Sequence, residues 1–185
     1  MKNLLFIILL SCGLSSSVHC QTISIPRDSV TGKFMYKILV DMPSFSDSTL
    51  YTKTKYFLSS KFNNGQYSID IPNKEILIKG QLNSSYDNKI GKRTITTPLP
   101  IEFDMSIKFK PGKYLVNISN IAMSSTGIIY PLEEYFQNQS AILARGIAKN
   151  KVNEVITNIA DKINDDIKKL LIEMKQFQKN ATDEW

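Results

Sequence analysis

Ten residues in the second half of the chain alternate without a break. Ile101, Phe103, Met105, Ile107 and Phe109 are apolar, and Glu102, Asp104, Ser106, Lys108 and Lys110 lie between them. A β-strand turns successive side chains to opposite faces, so this period of two demands a strand with one dry face and one wet face. Pro111-Gly112 follows, a turn with proline at its second position and glycine at its third, where a positive φ costs glycine little. The chain then returns with Tyr114, Val116 and Ile118 inward and Leu115, Asn117 and Ser119 outward. A change of phase at Asn120-Ile121 marks a β-bulge.

The same period predicts an earlier hairpin, residues 67–71 and 75–80 joined through Pro72-Asn73-Lys74. It also predicts a first strand over 34–42, with Tyr36, Ile38, Val40 and Met42 on one side. Two regions switch to helical spacing. Ser46 or Ser48 caps a helix running to about Phe62, its stripe formed by Leu50, Thr54, Phe57, Leu58 and Phe62, and Asn63-Asn64-Gly65 ends it. The second region, about 150–178, repeats apolar residues at three- and four-residue steps, among them Ile156, Ile159, Ile163, Ile167, Leu170 and Met174. At 100° per residue the stripe covers about 160° of arc, wider than a coiled-coil seam, so this helix is expected to lie over the sheet. Its length of roughly 28 residues would span ~42 Å, against about 33 Å for a ten-residue strand, and one end should overhang. Pro131 suits the first turn of a short helix over 132–136, with a break at Gly146 or Asn150 before the long one.

Segment 83–100 is polar, contains Asn83-Ser84-Ser85 and Gly91-Lys92-Arg93, and ends in Thr97-Pro98-Leu99-Pro100. It reads as a connecting loop. Residues 21–32 read as an N-terminal arm, 33–180 as a single domain and 181–185 as a tail.

The first twenty residues have the order of a signal peptide: Lys2, an apolar run from Leu4 to Leu10, then small and polar residues. Cleavage after Cys20 would leave Gln21 as the new N-terminus and send the protein to the periplasm or outside the cell. The rival is lipoprotein processing at Leu9-Leu10-Ser11-Cys12, which would anchor an acylated Cys12 in the outer membrane. Membrane attachment is expected only on that second route. The only histidine, His19, and both cysteines, Cys12 and Cys20, fall in this stretch. A chain cut after Cys20 keeps 165 of its 185 residues and loses one lysine, so its formal charge falls from +6 to +5. That length is one domain's worth and can bury about 70% of its unfolded surface, enough to fold without disulfides. An exported chain with no structural cysteine pair points to a bacterial envelope. Asn-x-Ser/Thr triplets at Asn83, Asn117, Asn138 and Asn180 arise by chance in an asparagine-rich chain.

The order of elements carries a resemblance, together with Leu50-Tyr51 and Tyr56-Phe57 on the first helix, Lys79-Gly80 closing the second hairpin, and Phe109-Lys110-Pro111-Gly112-Lys113-Tyr114. Over residues 34–121, followed by Pro131-Leu132-Glu133-Glu134 and the long C-terminal helix, the chain resembles a bacterial exported family. It is the domain-of-unknown-function family 4468, described as having a TBP-like fold. The resemblance implies an α+β fold of two layers, a curved antiparallel β-sheet with helices packed on one face in the order β-α-β-β-β-β-α. It implies no catalytic residue.

Little site chemistry remains outside the leader. Glu102 and Asp104 lie two apart on one strand with Cα atoms about 7 Å apart, a spacing that would suit a pair of glycosidase carboxylates. Beside Ser106, Lys108 and Lys110, however, they read as a hydrated sheet face, without the desolvated pocket an acid catalyst needs. Glu133-Glu134 suit a helix start. Asp161, Asp165, Asp166 and Glu173 alternate with lysines on the long helix as a solvated face. The sequence holds no phosphate loop, dinucleotide fingerprint or nucleophile elbow, so no cofactor or metal is expected. The expected function is that of a non-catalytic envelope module, not an enzyme, binding an envelope protein or glycan through its exposed sheet face, with Glu102, Asp104 and Lys108 as candidate contacts. A carboxylate-dependent hydrolase using Glu102 and Asp104 is the alternative. Nucleic acid is not expected as a partner, because the face mixes acids with lysines and the chain has only Arg27, Arg93 and Arg145. Monomer and homodimer are both open.

Overall fold

The computed structural model describes residues 23–62, 66–90, 92–125, 128–144 and 149–180. The leader residues His19, Cys12, Cys20 and Gln21, the tail, and the breaks proposed at Gly65 and Gly146 lie outside them.

The alternating run at 101–110 is the second half of an 18-residue strand, β4 (Arg93–Lys110). Its partners are β1 (Tyr36–Asp41), β2 (Gln66–Ile71), β3 (Glu75–Ile90), β5 (Lys113–Ser125) and β6 (Ile128–Pro131). All pair antiparallel in the order β1-β5-β4-β3-β2, with β6 joined to the far end of β5 on the side where β1 pairs its near end. Three helices complete the α+β fold: α1 (Asp47–Lys61), α2 (Leu132–Ala144) and α3 (Lys149–Asn180).

The period of two decides which face is dry. Ile101, Phe103, Met105, Ile107 and Phe109 are buried beneath the helices, joined by Ile76 and Ile78 of β3 and Tyr114, Val116 and Ile118 of β5. Each such side chain withdrawn from water contributes about 1.5–3 kcal/mol. α1 starts at Ser46, whose hydroxyl accepts the Thr49 backbone N–H at 3.1 Å, and buries Leu50, Thr54, Phe57 and Leu58 as its stripe requires. Phe57 meets Phe177 of α3, and Phe62 meets Phe103 of β4 edge-on. α3 turns Ile156, Ile159, Ile163, Ile167, Leu170 and Met174 to the same core. The bulge falls where the phase changes: Asn120 adopts φ +50°, two β5 residues oppose Phe103, and Ile121 returns to the dry face. Ile38 shares the side of Tyr36 and Val40, which are buried, but remains 36% exposed on the edge strand β1.

The structure corrects two expectations and removes the ground for a third. Segment 83–100 is not a loop: Asn83 pairs with Pro100, Ser85 with Pro98, and the pairing continues to Ile90 opposite Arg93. Polar side chains and two prolines hid a hairpin, since proline is tolerated on an unpaired strand edge and β5 meets β4 only from Met123 opposite Ile101 onward. In consequence the length argument for an overhang of α3 falls away. Its 32 residues span ~48 Å at 1.5 Å each, and the 16 residues of β3 reach ~54 Å beneath it. The short helix after Pro131 runs on to Ala144, and β6, absent from the expected order, precedes it. The arm at 21–32 is docked where it is described. Ile25 is buried, Ser24 donates to Asp161 at 2.7 Å, and the Phe34 backbone N–H donates to Glu133 at 2.6 Å.

Candidate functional site

With every helix on one side, the other side of the sheet is left open to solvent. Strand pairing aligns its side chains in rows. Ser106 stands opposite Asn117 of β5 and Leu77 of β3, while Lys108 stands opposite Leu115 and Glu75. β1 extends the rows with Lys37 and Leu39, and β2 with Ile69 and Ile71. Leu39 is 56% exposed, Ile69 39% and Ile71 45%, with half-buried Leu77 and Leu115 between them. The face therefore mixes apolar side chains at both margins with charges of both signs along its middle.

All three sequence candidates lie on this face. Asp104 accepts a hydrogen bond from the Asn120 side-chain amide at 2.8 Å, so the bulge that re-phases β5 also fixes this carboxylate. Lys108 approaches Glu75 at 3.6 Å, and Glu75 also accepts the Ser106 hydroxyl at 3.1 Å. Such solvated pairs are worth about 0–1 kcal/mol and order the surface more than they stabilise the fold. A shallow hollow of about 240 Å³ lies at the centre, walled by Met35, Lys37, Ser106, Lys108, Leu115 and Asn117. Asn117 turns a shielded side-chain oxygen there that accepts no hydrogen bond from the described residues. Glu102 and Asp104 are not among the walls of this hollow, so the structure joins Lys108 to it and leaves the two carboxylates to one side. Glu75, Lys37 and Asn117 were not foreseen as site residues. Only the register of distant strands brings them beside Lys108.

The ionisable groups on the helix side brace the layers. Lys55 of α1 donates to Asp70 of β2 at 2.8 Å, and the Tyr51 hydroxyl donates to the other carboxylate oxygen. These bonds, that from Lys55 first, hold the Asp70 carboxyl below the usual carboxylate range, and the bond to Asp70 holds the Lys55 ammonium above its own. Tyr36 reaches Asn164 of α3 at 3.0 Å, and burial raises its phenol well above the usual value. Among the described residues no group of three or more histidine, cysteine or acidic side chains could hold a metal ion. No described helix is long and apolar enough to cross a membrane.

Comparison with known proteins adds the family. Residues 36–124 match the model of a family described as "Domain of unknown function (DUF4468) with TBP-like fold". A solved DUF4468 family protein from Bacteroides ovatus shares 15% identity, covers 87% of this chain and 93% of its own, and superposes with a TM-score of 0.56. A solved TBP-like protein from Parabacteroides distasonis, also 15% identical, covers 85% of this chain and 99% of its own at a TM-score of 0.59. At that identity the likeness is one of fold. No curated protein matches the chain.

Proposed function

We propose, from the premise that residues 36–124 are a DUF4468 domain with a TBP-like fold, that this protein is an exported, non-catalytic binding module of the bacterial cell envelope whose open sheet face docks a protein. The observation that carries this reading is the one-sided layering: three helices cover one face, while Leu39, Ile69, Ile71, Leu77 and Leu115 remain on the other. Apolar side chains interrupted by charges are what a protein interface offers: a desolvated core within a polar surround. A protein partner suits the face better than a glycan, because the described β1–β5 positions on it hold no aromatic ring on which a sugar could stack. Asn117 supports the reading as well, since its side-chain oxygen accepts no bond from the described residues and is available to a donor on the partner. Export rests on the order of residues 1–20.

The test is crosslinking pull-down from envelope fractions with the intact protein and with a Leu39→Glu, Ile71→Glu variant, thermal melting being followed in both. Both substituted side chains are exposed, so the melting temperature should hold while the recovered partner is lost. Recovery of the same partner by the variant, or of no partner by either protein, defeats the reading.

A further inference from the structure

A second surface lies on the helix side, where α3 passes the edge of β3. β2 pairs with β3 only as far as Gln66 opposite Lys79, so from Gln81 onward β3 is bonded to β4 on one side and has no described strand on the other. Two hollows, of about 290 and 490 Å³, lie along this edge and share Ser85 and Lys162, forming one groove. Six consecutive β3 residues, 82–87, border it, and α3 forms the opposite wall. Because neighbouring side chains in a strand point to opposite faces, an unbroken run of wall residues means that the strand presents its edge, with backbone N–H and C=O groups turned outward at every second residue. The two edges of this hairpin are not equivalent. β4 carries Pro98 and Pro100, which remove donors and blunt its edge, whereas residues 81–90 of β3 contain no proline.

The groove is also polarised. At one end Lys169 stands without an ionic partner among the described residues, beside Lys61, which is paired to Glu173 at 2.6 Å. Lys162 and Asp166 neutralise each other midway at 2.7 Å. At the other end Asp161, which accepts the Ser24 hydroxyl, and Asp165 line the α3 wall, and no described cation forms an ion pair with either. From Asn158 to Glu173 the α3 wall rises about 22 Å, which matches roughly seven residues of extended chain.

We propose that this groove captures an extended peptide segment as an added strand on β3, antiparallel to it and in line with β2, with a basic side chain toward Asp161 and Asp165 and an acidic one toward Lys169. Main-chain hydrogen bonds to the β3 edge would supply affinity, and the charge gradient would set direction. The site is separate from the open sheet face and does not depend on that face binding anything.

The experiment is fluorescence anisotropy of the full chain with labelled acetyl-Thr-Lys-Val-Thr-Val-Glu-Thr-amide and with the same peptide after exchange of its Lys and Glu. Hydrogen exchange maps the contact. The first peptide should bind at least tenfold more tightly than the second, and backbone N-methylation at alternate residues should abolish binding without any change in the protein. Amides of residues 81–87 should gain protection. Exchanging the wall charges, Asp165→Lys with Lys169→Glu, should reverse the preference between the peptides. Equal binding of both peptides, indifference to N-methylation, or protection confined to the open sheet face overturns the proposal. So does self-association through this edge that the peptide does not displace, which would make the occupant a second copy of the chain.

Discussion

Among the described glycines, Gly80 is the one at which an added side chain would be most crowded. A Cβ built there would stand 2.6 Å from Cε2 of Phe103, the ring that packs against Phe62 where α1 ends. That ring is 2% exposed, so Gly80→Ala is expected to destabilise the protein by about 1–3 kcal/mol through overpacking. Phe103→Leu in the same chain should recover part of the loss, and urea denaturation of the two single variants and the double would show it. A recovery of nothing would mean that Gly80 is needed for its backbone and not for the space above it. The sequence marks Gly80 only as the close of a hairpin. Phe103 is 23 positions away, and only the pairing of β3 with β4 sets it directly opposite.

At the scale of elements, α1 and α3 are joined by a buried polar contact as well as by Phe57 and Phe177. The Gln178 amide donates to the Thr54 hydroxyl at 2.7 Å, and both residues are 0% exposed. Thr54→Val removes the acceptor and leaves a buried amide unpaired, which should cost about 1–3 kcal/mol. Replacing both partners, Thr54→Val with Gln178→Leu, should cost less than Thr54→Val alone, and a double-mutant cycle read by thermal melting measures the coupling. Additive losses would count against a direct contact. Thr54 was legible as part of the α1 stripe, but that its partner would be a glutamine in the last turns of α3 was not. The hairpin arm at 83–100 teaches the same lesson in reverse. Its period of two is weak because Leu82, Ser84 and Tyr86 meet α3 on one face while Asn83, Ser85 and Asp87 meet water on the other, and a serine can serve either. Pro98 and Pro100 then read as loop residues until the absence of a β5 partner explains them.

For the whole molecule, stability should be graded from the centre of the sheet outward. β4 is paired on both sides over residues 101–110, against β3 and against β5, and its dry face is roofed by the helices. Its arm at 93–100 is paired on one side only. Native-state hydrogen exchange should therefore find the slowest amides within 103–109 and 114–118, with those of 94–97 exchanging far sooner. Uniform protection along β4 would show that the arm and the sheet open as one unit. Such a gradient suits a module that holds a rigid sheet face while leaving one strand edge accessible. The alternation of β4 and β5, the turn at Pro111-Gly112, the bulge at Asn120, the cap at Ser46 and the stripe of α3 are all set by neighbours within a few positions, so the sequence by itself determined these elements and the faces they bury. Which face would stay bare, which carboxylate would meet Lys108, and where β3 would run with one edge lacking a described strand beside α3 depend on contacts between residues tens of positions apart. Those contacts exist only once the sheet has chosen its order and register, and only the tertiary structure decided them.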